Sequence, residues 1–216
     1  DNGKVYSHQP WSYYGRIGKT NDVYSQLNNG DFGPILGVYV VPSLGYLIHT
    51  RSGNVIPTGS LTSFWYYPRV NGGYLSFDEL SNISYIVTNE SEYVMLDSFG
   101  KIYTNSGINY GWHSKRNPYE RISDLSGITD IFSSKDSFAA FKRGTDNKLE
   151  YVDSWPSSRY YYYWTSMLGK RYIDQFYDVS RKETGDNTDD WKVGIDKVCC
   201  TGGSKTPHWY ILKDDG

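Results

Sequence analysis

The sequence predicts an all-β protein made of about four similar antiparallel sheets, and three observations carry that prediction. The 216 residues include 22 Tyr and 7 Trp but only 2 Met, a balance that favours pleated strands over helices. A strand–turn–strand pattern recurs along the chain at a nearly constant spacing. Its turns centre on Gly3, Gly53, Gly100 and Asn147, 47 to 50 residues apart, and Gly and Asn are the residues that best accept the positive φ of a tight hairpin.

The pattern is clearest in the segments from Phe77 and from Ile122. Leu80 and Leu125 lead to Ile83-x-x-Ile86 and Ile128-x-x-Ile131. A polar loop follows, then an apolar run from Tyr93 or Phe138, a turn, and a short strand, "KIYT" or "KLEYV". Looser copies run from Ile35, where Tyr39 precedes Tyr46 by seven residues, and from Val193 to the end. The units divide the chain at roughly 4–53, 54–100, 101–147 and 148–216, with an irregular insert at about 160–206. One small sheet cannot bury its apolar face alone, but neighbours stacked around an axis can. A period of this length fits a four-stranded blade, so the expected architecture is a single-domain β-propeller. The chain starts at "DNGKVYS" and stops at "HWYILKDDG", two halves of one hairpin motif. These terminal strands are expected to meet and complete the fourth sheet, the alternative being a fragment cut from a longer array.

The stretches "NGKVYSHQPWSYYGRIG", "FGKIYTNSGINYGW" and "ISDLSGITDI" resemble the repeats of the regulator of chromosome condensation superfamily, and the resemblance implies a propeller. It covers most of the chain and fails in the insert. Tyr, Val and Phe stand here where those repeats usually carry Ala and Gly, and four units are fewer than that family's usual seven. A weaker similarity, through "DNTDDWKVGID" and the abundance of Trp, is to sugar-binding propellers of the tachylectin and tectonin type. Neither resemblance transfers individual functional residues.

An aromatic-then-arginine signature recurs with the sheets: "WSYYGR" at Trp11, "WYYPR" at Trp65, "WHSKR" at Trp112 and "WPSSR" at Trp155. Equivalent places on successive blades would put Trp65, Trp112 and Trp155, with Arg69, Arg116 and Arg159, in loops at one end of the molecule. In the structural reading each Arg caps its own Trp by a cation–π contact. In the functional reading Trp11, Trp65, Tyr67, Trp112 and Trp155 offer flat faces to a pyranose while Arg69, Arg116 and Arg159 bond its hydroxyls. Each such site is weak alone, and repetition on a rigid disc adds avidity. The expected function is therefore a non-catalytic, lectin-like module that binds a glycan or glycoprotein, secreted or at the cell surface.

The insert contributes a second possibility. Four consecutive tyrosines, Tyr160 to Tyr163, cannot all face one side of a strand. An outward pair, Tyr161 and Tyr163 or its alternate, either packs under the insert's own helix, expected near Gln175 to Arg181, or forms a paratope for a protein partner. That alternative is a protein-recognition propeller of a toxin, adhesin or inhibitor.

Other classes find less support. The formal charge of −2 and four scattered histidines give no footprint for nucleic acid and no metal-binding spacing. No apolar run reaches the roughly 18 residues of a membrane span. No serine elbow or phosphate loop is present, so no catalytic residue and no cofactor are assigned. Acidic pairs such as Asp78 with Glu79 keep a glycoside hydrolase as a further alternative. The density of acids in "GDNTDD" reads as a solvated turn. "NIS" at Asn82 and "NES" at Asn89 fit the glycosylation triplet. The adjacent Cys199 and Cys200 read as reduced thiols near the end of a strand, or as a strained or intermolecular bridge.

Overall fold

The computed structural model of the chain describes residues 33–70, 73–106, 125–135, 137–156, 192–201 and 208–213, and these form an all-β structure. Three meanders carry the architecture. The first contains β1 (Ile35–Val41), β2 (Gly45–Thr50) and β3 (Val55–Pro57). The short strands β4 (Arg69–Val70) and β5 (Gly73–Tyr74) precede the second, made of β6 (Ile83–Thr88), β7 (Tyr93–Asp97) and β8 (Ile102–Thr104). The third contains β9 (Asp130–Ser133), β10 (Ser137–Arg143) and β11 (Leu149–Pro156), and a hairpin of β12 (Ile195–Thr201) and β13 (His208–Lys213) follows. Hydrogen bonding links these strands into sheets ordered β1-β2-β3, β5-β4-β8-β7-β6 and β13-β12-β11-β10-β9. Each is open, with no strand pairing back to close a barrel among the described residues.

Three of the four expected turns are where the spacing placed them, and the fourth, at Gly3, lies outside the described residues. Gly53, Gly100 and Asn147 have φ of 82°, 80° and 66°, the left-handed region that Gly enters freely and Asn at small cost. At two of them glycine is demanded twice over. A Cβ on Gly53 would lie 2.8 Å from Cα of Asn82, and one on Gly100 2.7 Å from the Ile128 nitrogen. The next meander presses directly on each turn: Ile83 N–H donates to the Gly53 carbonyl (3.0 Å), and Ile128 N–H to that of Gly100 (3.4 Å).

Alternation along the strands then decides the packing. Tyr93 and Met95 face the first meander, joining Val41, Leu47 and Val55 in one core. Val94 and Leu96 point the other way, into a core with Ile128, Ile131, Phe138 and Ala140. Ala139 and Phe141 in turn face the last hairpin and pack with Leu149 and Ile195. "YVML" and "FAAF" read as unbroken apolar runs because each strand is covered on both faces. Burying side chains such as Phe138 and Phe141 stabilises the fold by about 1.5–3 kcal/mol each.

Four strands lie in a row, β1 against β6, β6 against β9 and β9 against β12. Hydrogen bonds cross this row: Ser133 Oγ donates to the Thr88 carbonyl (3.0 Å), and Cys200 Sγ to the Ser133 carbonyl (2.8 Å). Cys199 and Cys200 are both free thiols, on opposite faces of β12. Burial, and secondarily the Cys199 thiol, push the Cys200 pKa above its ordinary value.

"HWYILK" is a strand, as the hairpin motif predicts. The expected meeting of β13 with Lys4 to Ser7, the helix near Gln175 to Arg181, "GDNTDD" and Tyr160 to Tyr163 lie outside the described residues.

Candidate recognition site

Between the first and second meanders the chain assembles an aromatic patch. Short 3-10 turns, Gly59–Thr62 and Phe64–Tyr66, follow β3, and Leu61 anchors the first in the core. Tyr67 N–H closes the second turn on the Phe64 carbonyl (3.2 Å). The chain then reverses through β4 and β5, with Arg69 opposite Tyr74 and Val70 opposite Gly73. This reversal returns Tyr74 to the turn, where its ring centroid lies 4.2 Å from that of Phe64. The Arg69 guanidinium sits 4.1 Å from the Tyr74 ring centroid and also donates to the Tyr74 hydroxyl.

The patch has a wet surface on a dry base. Phe64 is 53% exposed and Tyr74 37%, so both rings present area to solvent. Beneath them Tyr67 packs 5.8 Å from Phe64 and edge-on to buried Phe77, also at 5.8 Å. Phe77 continues to Tyr93 at 5.9 Å, and the Tyr93 hydroxyl donates to the Tyr66 carbonyl (2.6 Å). The chain of rings connects the exposed faces to the first core. Chemically, the patch offers flat apolar area with a guanidinium and a hydroxyl at its rim.

The signature residues meet different fates. Trp65 holds the middle of the second 3-10 turn. Tyr67 is half-buried within the patch, and Arg69 finds its aromatic partner in Tyr74, because the two are opposed across the hairpin. The expectation that Trp155 stands in an equivalent loop is corrected. β11 runs on to Pro156, so Trp155 is still in the strand, pairs with Phe138 and stacks on its ring at 6.0 Å. Only 5% exposed, it belongs to the core between the second and third meanders. Its indole N–H has no hydrogen-bond partner. Trp11, Trp112, Arg116, Arg159, Tyr161 and Tyr163 lie outside the described residues.

Phe64 and Tyr74 were not singled out in the sequence. The signal was present in "SFWYYPRVNGGYL": a Gly-rich turn after Arg69 folds the next aromatic back onto it.

Other candidate chemistry is accounted for by structure. The Glu79 carboxylate accepts the Ser76 N–H (2.7 Å) and so caps a turn. His49 is buried and donates from Nε2 to the Ile83 carbonyl (2.7 Å). Among the described residues no three His, Cys, Asp or Glu side chains are grouped to hold a metal ion. No helix among them is long and apolar enough to cross a membrane. Of the two glycosylation triplets, Asn82 is exposed, whereas Asn89 is buried and its Oδ1 accepts the Ser91 and Glu92 N–H groups. In comparisons with known proteins, no family model, no curated protein and no solved structure matches this chain.

Proposed function

We propose that the protein is a non-catalytic recognition module that binds carbohydrate at the Phe64–Tyr74 patch. One observation carries this reading: two exposed aromatic faces share a fixed site with a guanidinium and a phenol. A pyranose ring pairs an apolar C–H face with a rim of hydroxyls. Phe64 and Tyr74 would pack against the former, with Arg69 bonding the latter. Stripping the sugar's hydration offsets much of the gain from burying aromatic area, so one such site binds weakly.

The scaffold we propose is a propeller-type arrangement of about four sheets around an axis lined by β1, β6, β9 and β12. The side-by-side order of those strands and the 47-residue spacing of the Gly53, Gly100 and Asn147 turns support it. On such a scaffold the signature loops near Trp11, Trp112 and Arg159 would add further sites, and avidity would supply affinity that one patch lacks.

The test is a glycan array followed by titration of the best glycan against intrinsic Trp fluorescence. Phe64→Ala and Tyr74→Ala should each weaken binding by about tenfold or more without unfolding the protein, and Trp65→Ala should report whether the turn's third aromatic takes part. Glycan affinity that survives both Phe64→Ala and Tyr74→Ala, or an array with no bound glycan, removes the proposal.

A further inference from the structure

The hairpin turns at Gly53, Gly100 and Asn147 carry different residues at their tips. Polar Ser52 and Asp146 stand just before two of them, as suits a solvated turn, and Phe99 stands before the third. Phe99 is 77% exposed, the most exposed large apolar side chain among the described residues. The backbone beneath it is well held. One oxygen of buried Asp97 accepts the Phe99 and Lys101 N–H groups (2.9 Å each), and the other accepts the Tyr103 hydroxyl (3.1 Å). Ser98 N–H donates to the Asn82 carbonyl (2.9 Å), which joins the turn to the chain entering β6.

A single exposed apolar side chain is ordinary, but the surroundings of this one are not. Cations gather around it. Lys101 follows in the same turn, its ammonium 5.4 Å from the Tyr103 ring centroid. On one side lies the Gly53 turn, packed on Asn82 and carrying exposed Arg51. On the other, Gly127 packs on Gly100, and the Lys142 side chain runs over Gly127, where a Cβ would lie 3.7 Å from Lys142 Cε. Among the described residues none of these three cations forms an ion pair. The neighbouring acids are engaged, Asp97 within the turn and Asp130 with Arg143 (2.6 Å), while Asp146 belongs to the next turn along. The formal charge of −2 thus conceals a local positive excess around the ring.

We propose that this end of the molecule docks on an anionic phospholipid surface, with Phe99 entering the headgroup region and Arg51, Lys101 and Lys142 meeting the lipid anions. Phe99 projects from a turn rather than lining a groove. A lipid surface rewards one projecting ring and dispersed cations together, whereas a folded protein would need a matching pocket. The inference stands apart from the carbohydrate site. The Tyr93 hydroxyl, at the start of β7, bonds to that patch, and Phe99 lies beyond the other end of the strand. Docking would therefore hold the patch away from the bilayer.

Cosedimentation with vesicles tests it. The wild-type chain should bind phosphatidylcholine vesicles containing about 30% phosphatidylserine, bind pure phosphatidylcholine about tenfold more weakly, and be released as salt rises. Phe99→Ser gives this turn the residue that Ser52 supplies in the first, so the fold should survive, as circular dichroism can check. It should weaken binding about fivefold or more. Arg51→Gln, Lys101→Gln and Lys142→Gln should each weaken it about fivefold. Phe99→Trp should bind as the wild type does, and the introduced indole should be quenched by brominated lipid. No binding to the anionic vesicles, equal binding to neutral ones, or undiminished binding by Phe99→Ser would each overturn the proposal.

Discussion

Trp155 and the turn around Trp65 carry the same short signature and end in opposite environments. The first is sealed in a core against Phe138; the second stands beside the exposed Phe64 and the Arg69–Tyr74 pair. The difference comes from the strand before each. β3 is three residues long and releases the chain at Pro57, whereas β11 is eight residues long and holds Trp155 in register with β10. A Trp-to-Arg spacing is therefore no guide to location unless the preceding strand's end is known. One aromatic stabilises the fold, while Phe64 and Tyr74 turn part of their surface to solvent.

Substitutions can widen or erase that contrast. Trp155→Ala should have the largest effect, a loss of about 3–5 kcal/mol in urea unfolding, because it opens a cavity between two meanders. A loss below about 1 kcal/mol would mean that Trp155 is not a core residue in solution. Gly100→Ala should come next. Its positive φ and the Ile128 backbone against it should cost about 1–3 kcal/mol, with the same change at exposed Gly127 (φ 66°), where a Cβ would meet only Lys142 Cε at 3.7 Å, costing less.

Alkaline titration should have a smaller effect. Burial, the negative charge of Asp97 and the hydrogen bond to its carboxylate (3.1 Å) push the Tyr103 hydroxyl up to about 12. The folded protein therefore holds this proton at pH values where the unfolded chain has released it. The contribution is complete below about pH 10 and is lost as pH rises towards 12. The difference in melting temperature between wild type and Tyr103→Phe should shrink over that interval; a constant difference would deny the linkage. Smallest of all, Phe64→Ala should change stability by no more than about 0.5–1 kcal/mol while altering ligand binding, which separates the wet patch from its dry base.

Much of the fold was legible because its signals are local. Ile83-x-x-Ile86 and Ile128-x-x-Ile131 supply buried side chains to successive cores, and each turn declares itself by a residue that tolerates positive φ. The apolar runs at Tyr93 and Phe138 begin strands as expected, within a residue. What escaped depends on contacts made across distance. The end of β11 is set by pairing with β10, not by its own composition. The Phe64–Tyr74 approach exists only once the β4–β5 reversal has formed. Asn89 carries a glycosylation triplet whose amide the fold has turned inward, which three letters could not reveal.

Among the described residues β12 is laced to β11 by a single register pair, Leu149 with Ile195, beside the Lys148–Asp196 ion pair and the small cluster around Phe141. Under tension applied at Lys213, load would fall on that rung, the ion pair and the Cys200–Ser133 hydrogen bond rather than spread along a ladder. The last hairpin should tear away at low force, before the three meanders yield, and snap back when the load is released.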